Sequence, residues 1–248
     1  MPVHCRAFIG NPVNFVGHLH AVRTRRCPAG AARPPERLSG KPVGAVWQAA
    51  PVEELIGTQK PTHRTLDPDE AMTALERVVP GLAPLRRQKP AVFDWRAVED
   101  EAGRALPSDF KSLAEWYPAF GLDDFLVIML PWPGEEAVTA EARGRRSERW
   151  DCDYPADLRP AELVSTTLIP WGDSAEGDQF FWSVLGDDPE HWLVTICSRN
   201  GPWWHYEGGM VQFLAEFCAG ALEPWALPPV KPEITGWAVE GGGWRQTA

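Results

Sequence analysis

Leu163-Val-Ser-Thr-Thr-Leu-Ile-Pro170, Trp171-Gly-Asp-Ser-Ala-Glu-Gly-Asp178 and Gln179-Phe-Phe-Trp-Ser-Val184 decide the fold class: two β-rich runs flank one acidic, glycine-punctuated turn. A second pair follows, Trp192-Leu-Val-Thr-Ile196 and Trp203-Trp-His-Tyr206. Between them Ser198-Arg-Asn-Gly-Pro202 offers Asn200-Gly201 for a tight hairpin. This spacing predicts an antiparallel meander. Gly208-Gly209 then break the sheet, and Met210, Phe213, Leu214, Phe217 and Cys218 fall on one face of a helix that Gly220 stops. Strands closed by an amphipathic helix predict an α+β module with the helix on one sheet face.

Upstream, Asp69–Val79 carries the helical spacing Met72, Leu75, Val78, Val79, and Pro80-Gly81 ends it. After a linker, Leu82–Pro90, Asp94 can cap a helix holding Trp95, Val98 and Ala102, with Gly103 as its stop. Leu106-Pro-Ser-Asp-Phe-Lys111 opens another, with Ser108 as its expected cap and Phe110, Leu113, Ala114 and Tyr117 on its apolar face. Phe125–Leu130 is too short to cross a membrane and reads as a buried strand. Glu135–Trp150 allows a helix lined with possible ion pairs, which Gly144 weakens.

The ordered series resembles the SUKH superfamily, which holds Smi/Knr-type fungal regulators and many bacterial immunity proteins. The residues that carry the likeness are Trp95 and Glu99 with Leu106-Pro-Ser-Asp-Phe-Lys111, Trp116-Tyr117, Phe125–Leu130, Ile169–Asp173 with Gly177-Asp178, and Phe213–Phe217. One departure is Tyr117-Pro-Ala-Phe-Gly121, where the family usually has a glycine-rich turn. The resemblance implies a mostly antiparallel sheet covered by helices over residues 91–222. It also implies a non-enzymatic, stoichiometric binder of a cognate protein toxin, often a nuclease, with no cofactor. A Smi/Knr-like regulatory scaffold is the second reading. A carbohydrate-binding or hydrolytic protein using tryptophans and carboxylates is the third.

The 248 residues include 25 prolines and 22 glycines, too many to spread evenly through regular elements, so part of the chain is expected to be irregular. Residues 1–65 hold 9 Lys+Arg against 3 Asp+Glu, and residues 66–248 hold 15 against 31, so a basic leader of net +6 precedes an acidic remainder of net −16. Such acidity disfavours nucleic acid and anionic membranes as partners and favours a basic protein. Residues 1–65 show no period and are expected to lie outside the fold, with the native start suspected at Met72. Residues 66–90 are read as helix and linker. Residues 223–248, rich in Pro and Gly, are expected to form an irregular tail anchored by Trp225 and Trp237.

Five cysteines with no Cys-x-x-Cys argue against a disulfide framework or structural zinc, and with no membrane-length apolar run or signal core the expected compartment is the cytoplasm. The group His18, His20 and Cys27 lacks a zinc-ligand spacing. No phosphate-binding glycine loop, dinucleotide fingerprint or nucleophile elbow is present. The best local candidates for a partner site are Asp173, Glu176 and Asp178 in the acidic turn, with Trp203 or Trp204 as an exposed aromatic anchor. His191 and His205 are the imidazoles that could pair with these acids.

Overall fold

The computed structural model describes residues 55–154, 159–239 and 243–247. Its strands are β1 (Leu55–Gln59), β2 (Phe120–Leu122), β3 (Leu126–Ile128), β4 (Leu168–Ser174), β5 (Gln179–Ser183), β6 (Leu193–Cys197), β7 (Trp203–Tyr206), β8 (Ile234–Val239) and β9 (Gly243–Gln246). The helices are α1 (Pro68–Val78), α2 (Trp95–Ala102), α3 (Ser108–Trp116), α4 (Glu136–Asp153) and α5 (Met210–Cys218). One sheet runs β1-β7-β6-β5-β4-β3-β2-β8-β9, antiparallel throughout except for the β1–β7 pair. The fold is therefore α+β with a mixed, mostly antiparallel sheet.

The meander β4 to β7 forms where the sequence puts it. Pro170 has no N–H for a ladder, and β4 accommodates it at a bulge: Pro170 pairs with Phe181 and Gly172 with Phe180, leaving Trp171 as the extra residue. On one face Trp171, Phe180, Trp182, Ile196, Trp204 and Tyr206 meet α5. Phe213 of α5 lies within ring-contact distance of Trp171, Phe180, Trp204 and Tyr206, at centroid separations of 6.0, 6.1, 6.0 and 5.6 Å. Truncating such a hub costs about 3–5 kcal/mol. A second cluster fills the other face, where Trp150 of α4 packs with Leu163, Leu168, Phe181, Cys197 and Trp203.

Capping follows the sequence in part. Asp94 caps α2 through the Ala97 N–H at 3.3 Å, and Gly103 ends it at φ 67°. Ser108 does not cap α3. It is the first helical residue, and its own N–H and hydroxyl donate to Glu190 at 2.8 and 2.9 Å, so a carboxylate 82 residues away does the capping.

Two boundaries are corrected. The expected tail adds β8 and β9 to the sheet, with Trp237 opposite Phe120 and Gly236 opposite Gly121. The prolines from 224 to 232 only delay the strand, since Ile234-Thr-Gly-Trp-Ala-Val239 begins after the last of them. At the other end, Leu55–Gln59 is an edge strand parallel to β7, and Thr65 N–H donates to Gln212 Oε1 at 3.0 Å. Residues 55–65 thus belong to the fold, while residues 1–54, with His18, His20 and Cys27, lie outside the described residues. Met72 is buried within α1, and a chain beginning there would lose β1 and the Asp67 cap of that helix.

Candidate functional site

Two of the three carboxylates of the acidic turn, Asp173 and Asp178, are built into the fold, whereas Glu176 at its tip is exposed. Asp173 on β4 pairs with Arg146 of α4 at 2.6 Å; burial raises its pKa and the guanidinium opposes that rise. Glu176 pairs with Arg199. Asp178 is buried, accepting from Ser174 Oγ at 2.5 Å and from the Arg199 N–H at 3.0 Å, which ties the β4–β5 turn to the β6–β7 turn. Gly177, at φ 105°, supplies the left-handed conformation the turn needs. Among the described residues no group of three His, Cys, Asp or Glu is arranged to hold a metal ion.

The expectation of an exposed tryptophan anchor is overturned. Strand alternation does send Trp203 and Trp204 to opposite faces, but both faces are covered. Trp203 lies against Phe181 and Trp150, and Trp204 against Phe213 and Trp225; their exposures are 0 % and 1 %. Neither ring can reach a partner without unfolding the sheet.

The histidines separate. His191 is exposed and pairs with Asp188 at 2.9 Å. His205 is buried, and its Nδ1 lies 2.9 Å from Thr195 Oγ1, which lies 2.6 Å from Ser183 Oγ. This hydroxyl–hydroxyl–imidazole chain crosses β5, β6 and β7 on the Trp203 face. Burial lowers the His205 pKa, and Glu162 acts against that.

A group the sequence reading passed over lies where α3, α5 and the β5–β6 connection converge. Asp109, in the first turn of α3, is 6 % exposed. Its carboxylate accepts from the N–H of Val211 at 2.9 Å and of Phe110 at 2.7 Å, capping α5, whose own N-cap is Gly209. Burial pushes the Asp109 carboxyl up to about 6; the Val211 N–H lowers it and Glu190 raises it further. The available signal was Gly208-Gly209, because a helix that begins after two glycines has no side-chain cap of its own. Beside Asp109, a cavity of about 10 Å³ is lined by Trp182, Glu190, Trp192, Gly208 and Gly209. It brings two carboxylates and two tryptophans together, but with room for one water and not for a sugar ring. A wider, open hollow of about 340 Å³ runs along the end of α2 beside Arg96, Glu99 and Arg104.

Among the described residues no helix is long and apolar enough to cross a membrane. Comparison with family models, with curated proteins and with solved structures gives no match to the chain.

Proposed function

We propose that this protein acts in the cytoplasm by stoichiometric binding, without a cofactor, as an immunity protein that occludes a basic, nuclease-type toxin. The likeness to the SUKH superfamily implies that role, and one observation on the surface supports it. In the segment that leads into α2, Val92 is 88 % exposed, and on α4 Val138 is 54 % exposed. Asp94 and Glu135, two and three residues away from these valines in sequence, are exposed, and the Asp94 N–H donates to Glu136 Oε1 at 3.4 Å. Phe93 is buried beneath and packs on Trp95 with ring centroids 5.0 Å apart, which gives the surface a firm base.

Single exposed aliphatic residues are ordinary, but two exposed valines on segments joined by the Asp94–Glu136 hydrogen bond, each with an exposed acid close by in sequence, have the composition of a small binding centre. The carboxylates would speed encounter with a basic partner and the valines would slow its release. This surface replaces the acidic turn and the Trp203–Trp204 pair as the expected contact region.

The test is co-expression with the toxin encoded by the adjacent gene, followed by binding kinetics. Val92→Asp with Val138→Asp should speed dissociation about tenfold or more, whereas Asp94→Asn with Glu135→Gln should slow association and flatten its salt dependence. Protection by far less than one equivalent of this protein, or chemical modification of the toxin by it, would sink the proposal.

A further inference from the structure

Asp109 and Glu190 face one small cavity from different parts of the chain, and each already caps a helix. Glu190 holds the Ser108 N–H and hydroxyl at the start of α3, and Asp109 holds the Val211 N–H at the start of α5. Trp182, 1 % exposed, lines the same cavity, and its indole N–H has no hydrogen-bond partner among the described residues. A cavity of about 10 Å³ matches one water, and the residues that line it include two carboxylates and a tryptophan whose buried indole N–H has no partner, the kinds of group a buried water bridges. A Cβ at Gly209 would come within 2.6 Å of Asp109 Oδ2, so the carboxylate is held without slack.

Most of the surrounding charges are held by other groups, and Arg104 lies over the ring of Trp192, 6.0 Å from its centroid. Arg64 from the segment before α1 is committed to the Glu190 carbonyl. On the connection, Asp188 and His191 pair with each other. Lys111 of α3 pairs with Glu99, and Glu207 at the end of β7 pairs with Lys60. The first turn of α5 carries no charged side chain.

We propose that this junction is a proton- and water-binding site. One ordered water accepts the Trp182 N–H and donates to the Asp109 carboxylate. On acidification a solvent proton adds to Asp109, whose second oxygen still accepts from Val211 while its new O–H donates to the water. The mutual repulsion of Asp109 and Glu190 is removed, and the α3–α5 junction tightens.

Burial of the carboxyl sets the sign. The folded-state pKa of Asp109, about 6, exceeds its ordinary 3.8, so the folded chain binds the proton more tightly. Stabilisation is absent well above pH 6, grows as pH falls through 6, and is complete below 3.8.

The test uses the full chain. Carbon-13 NMR of labelled carboxyl groups should show Asp109 titrating near 6, and Glu190→Gln should move that midpoint down. Between pH 7.5 and 4.5, urea unfolding should give wild type about a 25-fold gain in folded-to-unfolded ratio relative to Asp109→Asn. The Trp182 indole proton should show a nuclear Overhauser contact to bound water. Asp109 titrating near 4 with no response to Glu190→Gln, or identical pH dependence in wild type and Asp109→Asn, overturns the proton site. A Trp182 indole proton with no contact to water overturns the water. If Asp109→Asn does not fold, the Glu190→Gln titration still decides.

Discussion

The ring of Tyr206 occupies the space that a side chain at Gly208 would need: a Cβ there would overlap Tyr206 Cε1 and lie 2.7 Å from Cζ. Tyr206 is fully buried against Phe213 and cannot swing away without opening the α5–sheet contact. Gly208 is therefore required by packing and not by backbone conformation. Gly208→Ala should destabilise the fold by about 1–3 kcal/mol, the cost of overfilling a packed interior. Urea unfolding measures it, and a neutral result would mean that this packing is not present in solution.

Trp203→Ala and Trp204→Ala should each cost about 3–5 kcal/mol, because each empties a different side of the sheet. The readout that matters is thermal melting of the free protein. If either residue were a surface anchor, its truncation would leave the melting temperature nearly unchanged and appear only in binding.

That contrast shows how far the sequence carries. Strand alternation fixes that Trp203 and Trp204 point oppositely, but it does not say whether a second layer covers the far side. Here Trp150, distant in sequence, supplies it. The meander, Asp94 as a cap and the α5 face were legible because each is a local pattern. The Glu190–Ser108 and Asp109–Val211 caps, by contrast, join residues 82 and 102 positions apart. The strand β1 was missed for a related reason. Five residues interrupted by Gly57 carry little periodicity, and their partner is a parallel strand nearly 150 residues later.

His205 should give a pH dependence opposite to that of Asp109. Burial lowers its pKa in the fold below the ordinary 6.5, so the neutral ring is the folded form. The His205 contribution is fully present above pH 6.5. It is lost as pH falls below that value, because the unfolded chain takes up the proton first. His205→Asn keeps an acceptor for Thr195 but cannot titrate, so its urea midpoint should fall less than that of wild type between pH 7.5 and 5.5. Since Asp109 works in the other direction over this range, the comparison must be variant against wild type at each pH. Equal losses in both proteins would place the His205 ring in water.

The C-terminal strands allow the sharpest distinction between an appended tail and part of the fold. Asp123 and Asp124, between β2 and β3, both have positive φ, 52° and 50°, and the Phe125 N–H closes their turn on the Leu122 carbonyl at 2.9 Å. Two non-glycine residues in that conformation need outside support. The C-terminal segment supplies it: Asp123 N–H donates to the Glu233 carbonyl at 3.0 Å, Asp124 N–H to Thr235 Oγ1 at 2.8 Å, and Lys231 N–H to Asp123 Oδ2 at 3.0 Å. Truncation after Pro229 removes these hydrogen-bond partners, strips β8 from β2, and takes away the buried Val230, Ile234 and Ala238. It also turns the apolar strand Phe120-Gly-Leu122 into an open edge. The truncated chain should melt at least about 10 °C lower and self-associate on warming, because losing several buried aliphatic groups costs a few kcal/mol and each kcal/mol shifts the midpoint by a few degrees. Asp124→Gly, which relieves the turn directly, should recover about 0.5 kcal/mol in the full-length protein. Calorimetry with light scattering measures both. A truncated protein that melts with the full-length one would make residues 230–248 an appendage.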